Sequence, residues 1–201
     1  AGEIESGLMK MLMIGLGKRE GARVYHRAAE DFGFDRIIRD VAEEVLGRCR
    51  ILAGVAIVEN AYDQTALIEA VPPDRFVERE KELLKLAKRW MARLPFTHVD
   101  LLLIDRIGKD ISGVGMDPNI VGRKFNDHQA LEDEFPKIKR IALRGLSPHG
   151  HRNAIGLGNA DIITEKVFQA MDYEATLMNA LTSLSLRKAF IPVRMPNDRK
   201  A

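Results

Sequence analysis

The sequence contains a single cysteine, few aromatic residues and no long apolar run. Its 201 residues include one cysteine, Cys49, and 6% aromatic side chains. One cysteine excludes an internal disulfide and is typical of a reducing compartment, so we expect a cytoplasmic protein with Cys49 in its core. No run of about eighteen apolar residues occurs, which argues against a transmembrane helix.

Positive and negative side chains are nearly equal in number. Lysine and arginine number 31 and aspartate and glutamate 29, which gives a formal net charge of +2. No basic block with interleaved aromatic residues stands out. We therefore expect neither a nucleic acid nor a membrane as partner. The length and the 46% share of hydrophobic residues suffice for one sizeable or two small domains with proper cores.

Hydrophobic periodicity predicts helices and strands that alternate along the chain. The expected helices cover residues 18–50 (with a break near residue 33), 74–93, 160–171 and 173–184, and the charged face of the second is expected to be solvated. The expected strands cover residues 51–58, 65–71, 99–104 and 138–143. Residues 99–104 form a largely apolar run, as in a parallel strand covered on both faces. The pattern predicts an α/β fold in three layers, with a mostly parallel sheet flanked by helices.

Two glycine-rich loops follow the apolar strands, where an open α/β sheet binds its ligands. The first loop spans 105–127, and its part 105–119 holds three glycines (Gly108, Gly113 and Gly115) and donor side chains at Lys109, Ser112 and Asn119. These donors suit a phosphate or a carboxylate, but the loop matches neither the Walker A pattern nor the dinucleotide fingerprint. An anion cradle and a purely structural glycine loop both stay open.

The second loop, 145–158, contains a pair of histidines. His149 and His151 can chelate a metal ion from one loop, and His128 is a possible third ligand. This pattern supports a zinc hydrolase as the lowest-ranked hypothesis. The same loop can instead present backbone amides at the start of a helix.

Lys10 is the one charged residue within the apolar, glycine-containing segment 7–17. Residues 6–18 read Ser-Gly-Leu-Met-Lys-Met-Leu-Met-Ile-Gly-Leu-Gly-Lys, and His26 follows Lys10 by sixteen positions. Burying a cation among hydrophobic side chains is costly unless the cation is paired or used. Lys10 is then either a surface lysine on an amphipathic helix or a nucleophilic amine in a partly apolar site. His26 alone favours a surface residue, although imidazole is a good ligand for nickel, zinc and copper.

The segment 2–18 resembles the middle of the nickel-dependent lactate racemase family. The resemblance continues through residues 104–119, 153–161 and 172–176, so it covers most of this chain but only the C-terminal part of a family member. Family enzymes carry a nickel pincer nucleotide, a pyridinium mononucleotide tethered to a lysine through a thioamide. A histidine downstream of that lysine binds the nickel. The resemblance implies that Lys10 is the tether and His26 the nickel ligand.

The resemblance further implies a 2-hydroxy-acid racemase or epimerase, in which hydride leaves the α-carbon and returns to the other face. Lys10 and His26 are then the catalytic residues. The proposed neighbours of the cofactor are Lys109, Ser112, Asp117, Asn119 and Arg123. The family's two acid/base histidines and its substrate-binding arginine have no counterpart in this sequence and are expected upstream.

The chain is therefore expected to be a fragment that is inactive alone and pairs with an N-terminal half or a second chain. Residues 1–50 are expected to form a helical, cofactor-anchoring segment that completes a domain whose N-terminal half is absent. Residues 51–201 are expected to form an α/β C-terminal domain. The alternative is a non-catalytic binding or assembly module of the same fold that lacks the acid/base histidines.

Overall fold

The structure is a computed structural model that describes residues 3–4, 6–16, 21, 24–25, 27–28, 31–124, 129–183, 185–197 and 199–200. The chain divides into two compact units, residues 1–93 and 94–201. The boundary expected between residues 50 and 51 lies inside the first unit. The hairpin and the helix that follow residue 50 share a core with the preceding helices.

The first unit combines short and long helices with a β-hairpin. Helix α1 (Leu8–Lys10) continues directly into a π-helical turn, Met11–Gly15, and helix α2 spans Phe34–Arg48. Strands β1 (Gly54–Glu59) and β2 (Thr65–Val71) pair antiparallel, and helix α3 (Phe76–Trp90) follows them. Asn60 Oδ1 accepts hydrogen bonds from the Tyr62 and Gln64 amides, which makes the turn between the two strands.

The core of the first unit is built around α1 and its π-helical turn. Four of their side chains are buried, and they pack with buried residues of α2, the hairpin and α3. The buried set includes Leu8, Met9, Leu12, Met13, Ile38, Ala42, Val58, Val71, Phe76 and Leu83. Dense packing on several sides fixes the position of α1, since packed side chains have little room to rearrange.

The second unit contains a four-stranded parallel sheet. Its strands are β3 (His98–Ile104), β4 (Lys137–Leu143), β5 (Ile162–Thr164) and β6 (Val193–Met195), in the order β3-β4-β5-β6. Its helices are α4 (Pro118–Val121), α5 (Glu165–Ala170) and α6 (Tyr173–Thr182). The sheets and helices together confirm an α/β fold with a mostly parallel sheet. Within the described ranges, no helix is both long and apolar enough to cross a membrane.

Two expectations from the sequence are wrong. The predicted helix over 160–171 is replaced by β5 and the shorter α5, since the consecutive β-branched residues Ile162, Ile163 and Thr164 fit an extended chain better than a helix. Ile163 is fully buried in the sheet. Cys49, expected in the core, is exposed just after the last residue of α2.

Candidate functional site

Lys10 lies where α1 passes into the π-helical turn. Its neighbours Met9 and Leu12 are buried, whereas Lys10 itself is only half-buried. Its Nζ lies 5.5 Å from the centroid of the Phe34 ring, at the start of α2. Among the residues that the structure describes, no carboxylate forms an ion pair with Lys10. A rigid, apolar support therefore presents this amine, and π-helical turns are frequent at functional sites.

A buried carboxylate holds the first turn of α1. Glu80 of α3 is 3% exposed, and its Oε2 accepts a 2.7 Å hydrogen bond from the Met9 amide. Gly7, at φ 145°, allows this approach, because a β-carbon there would lie 2.8 Å from Glu80 Cδ. The bond satisfies one of the amides that a helix start leaves without a partner. Glu80 thus fixes the turn that carries Lys10.

The charge pattern of α3 predicts a solvated face for its charged residues, and the buried Glu80 is an exception to that prediction. Burial raises the pKa of this carboxyl above its ordinary value of 4.5, against the opposing hydrogen bond from the Met9 amide. Because the pKa of Glu80 is higher in the folded than in the unfolded protein, its protonation adds to the free energy of unfolding. This contribution is complete below the unfolded-state pKa and is lost as the pH rises through the folded-state pKa.

The variant Glu80→Gln tests this pH dependence. Glutamine keeps an oxygen that accepts from the Met9 amide, but it does not titrate. We expect the wild type to lose free energy of unfolding relative to Glu80→Gln as the pH rises from about 4 to about 8, as measured by urea unfolding. A wild type that gains stability relative to the variant over this range would contradict the assignment.

The residues proposed from the first loop occupy separate positions. Lys109 is exposed, and its Nζ donates a 3.2 Å hydrogen bond to Asn179 Oδ1 of α6. Asp117 caps α4 by accepting from the Asn119 amide at 2.7 Å, so these two residues are neighbours. Ser112 is half-buried, and its amide donates to the Gly108 carbonyl at 2.9 Å. The structure therefore joins Asp117 to Asn119, while Lys109 and Ser112 have hydrogen bonds of their own within the unit.

Arg123 is a buried structural residue. It is 1% exposed, and its guanidinium donates to the Asn159 carbonyl and to Asp161 Oδ2, both at 2.7 Å. Asp161 Oδ2 also accepts from the Ile141 amide of β4 at 2.7 Å. Arg123 thus ties the end of the first loop to the sheet. These hydrogen bonds explain the burial of Arg123, and no ligand is needed to explain it.

The glycines of the two loops serve close packing of the chain against itself. Gly115 has φ 81°, and a β-carbon there would overlap the Ile155 carbonyl oxygen. At Gly156, with φ 89°, a β-carbon would lie 2.5 Å from the Val114 carbonyl oxygen. Gly113, by contrast, has no atom within 4 Å of where its β-carbon would be. Of the two interpretations left open for the first loop, the structural one explains Gly115, and the same kind of close packing explains Gly156 in the second loop.

The histidines do not assemble a metal site within the described part of the chain. His149 and His151 are exposed, and no group of three histidine, cysteine, aspartate or glutamate side chains is suitably placed among the described residues. His26 and His128 lie outside those residues. The His149 amide instead donates to Ser147 Oγ, which donates to Asp110 at 2.5 Å and holds the pKa of that carboxyl below its usual value.

A cavity of about 500 Å³ opens at the carboxyl ends of the four parallel strands. Residues that follow or end each strand line it, together with two residues of α5. The lining consists of Asp105, Arg106, Arg144, Gly145, Leu146, Thr164, Lys166, Ala170, Pro196 and Asn197. This is the edge where open parallel sheets bind ligands. None of these side chains is a candidate ligand from the sequence alone, although Asp105 and Arg106 directly follow a predicted strand.

Comparison with protein-family models, curated proteins and solved structures finds no match to this chain. A functional interpretation therefore depends on its own residues and their geometry.

Proposed function

We propose that this chain is the cofactor-bearing part of a nickel-pincer-nucleotide-dependent racemase or epimerase of 2-hydroxy acids. The observation that carries the proposal is the half-buried Lys10, which has no ion pair with a described carboxylate. The resemblance of residues 2–18 to nickel-dependent lactate racemases supports Lys10 as the tether. An N-terminal half or a second chain is the proposed partner, because the sequence contains no counterpart of the family's acid/base histidines.

The surroundings of Lys10 fit a covalent attachment. A tether requires a reachable amine on a support that does not move when a bulky group is attached. The buried Leu8, Met9 and Leu12 anchor the segment, and Glu80 caps its first turn. The Phe34 ring lies beside the amine and supplies an apolar surface. Lys10 would hold the cofactor in a fixed position relative to the core of the first unit.

The chemistry that such a cofactor would supply when bound is the reversible acceptance of a hydride from the α-carbon of the substrate. His26 is the proposed nickel ligand, and its position lies outside the described residues. Lys109, Ser112, Asp117 and Asn119 stay proposed cofactor contacts. For Arg123 we propose a supporting role instead, because its guanidinium already bonds Asn159 and Asp161.

Coexpression with the proteins that synthesise the cofactor tests the tether. We expect intact-mass analysis to find one added group on the wild type and none on Lys10→Arg, because arginine cannot form the thioamide link. Lys81→Arg is the matched control, since Lys81 is also half-buried in the first unit but forms an ion pair with Glu3. The control should carry the added group as the wild type does.

Two results would contradict the proposal. The first is an unmodified wild type after coexpression, and the second is equal modification of Lys10→Arg. An unmodified Lys10 in a chain that forms a tight complex with another protein would favour the non-catalytic assembly module.

A further inference from the structure

The cavity at the carboxyl edge of the parallel sheet has an excess of positive charge. Arg106, Arg144 and Lys166 line it together with a single carboxylate, Asp105. Arg144 Nη1 lies 2.9 Å from Asp105 Oδ1, so this ion pair balances one of the three cations. Arg106 and Lys166 are exposed, and both line this cavity at the ends of the four strands. The cavity therefore favours an anion with about two negative charges.

Backbone pairing beyond the strands holds the rim of the cavity in place. The Arg144 amide donates to the Ile104 carbonyl at 2.9 Å, and Ile107 and Leu146 form a parallel bridge that continues the pairing of β3 with β4. Thr164 Oγ1 donates to the Arg144 carbonyl at 3.2 Å, which links the end of β5 to the same rim. The backbone that carries Asp105, Arg106 and Arg144 is thus ordered before any ligand arrives. Such preorganisation lowers the entropic cost of binding.

We propose that this cavity binds a small, hydroxylated phosphate monoester. A phosphate monoester carries about −1.5 to −2 charges at pH 7, which matches the two cations that Asp105 does not balance. Guanidinium and ammonium groups donate charge-assisted hydrogen bonds to phosphate oxygens. The volume of about 500 Å³ exceeds what a phosphate group alone needs and lies in the ordinary range of small-molecule sites.

The rest of the lining indicates what the phosphate is attached to. No aromatic side chain occurs among the described residues of the lining, so a nucleotide base would find no stacking surface. Asp105, Thr164 and Asn197 offer oxygen and nitrogen atoms that can pair with hydroxyl groups. A polyol or sugar phosphate satisfies both observations. The site lies entirely within the second unit, and its occupation requires no modification of Lys10.

Calorimetric titration of the full, unmodified chain tests the proposal. We expect glycerol phosphate to bind, with an affinity at least tenfold above that of the monocarboxylate lactate and with no detectable binding of glycerol. Arg106→Gln and Lys166→Gln should each weaken glycerol phosphate about tenfold, because each removes one charge-assisted hydrogen bond. Both side chains are exposed, so neither change disturbs the core.

The control is Lys139→Gln, which removes another exposed cation of the same unit that does not line the cavity. It should leave the affinity for glycerol phosphate unchanged. Four results would overturn the proposal: no binding of glycerol phosphate, lactate binding as tightly as the ester, equal loss of affinity in all three variants, or inorganic phosphate binding as tightly as the ester. The last result would mean that the cavity recognises inorganic phosphate and not the ester.

Discussion

Replacing Gly115 by alanine should destabilise the second unit by about 3 kcal/mol or more, a large part of the stability of an ordinary domain. Alanine is strained at φ 81°, and its β-carbon would overlap the Ile155 carbonyl oxygen of the neighbouring loop. The chain must then separate the two loops or adopt another backbone conformation. Urea unfolding, followed by hydrogen exchange of the β3 and β4 amides, measures the loss.

Gly113→Ala is the matched control for this prediction. Gly113 belongs to the same loop, but no atom lies within 4 Å of where its β-carbon would be. We expect a change of less than about 1 kcal/mol, as for most surface positions. If both alanine variants were equally stable, the close packing at Gly115 would not be what holds the two loops together.

Arg123→Met should cost about 3–5 kcal/mol of unfolding free energy at neutral pH. Methionine fills similar space, but the Asn159 carbonyl loses its charged donor and Asp161 loses an ion pair beside the sheet. Removing one member of a buried pair leaves the other charge without its compensation. Guanidinium chloride unfolding of wild type and variant measures the difference.

The comparison for Arg123 is Lys139→Met. Lys139 pairs with Asp100 at 2.5 Å on the surface of the same unit, where both side chains are more than three-quarters exposed. Solvent screens this pair, so its loss should cost less than about 1 kcal/mol. A loss of stability in Arg123→Met as small as that would contradict the structural role of its guanidinium.

The parts of the fold that depend on local patterns were predictable from the sequence. The short, mainly apolar segments of β2 and β3 carry their own signal, because runs of this length and composition are typical of strands. The apolar stripe of α3 repeats at three- and four-residue spacing and predicts a helix within a few residues of its observed ends. Together these elements were enough to predict an α/β fold.

The features that position the sites depend on residues far apart in the chain. Glu80 resembles its solvated neighbours in α3, and only Gly7, far earlier in the sequence, leaves room for its carboxylate at the start of α1. Strand β5 has only three residues, too few for periodicity to distinguish from a helix start. The cavity forms only when the ends of four separate strands align, so no single segment predicts it.

The covalent anchor at Lys10 is tested most directly by locating the added mass within the chain. After coexpression with the cofactor-synthesis proteins, the protein is digested and the peptide that contains Lys10 is fragmented in a mass spectrometer. We predict that the added mass lies on Lys10 and that Lys81 and Lys109 are unmodified. An unmodified Lys10, or an added mass found only on another lysine, would contradict the proposal.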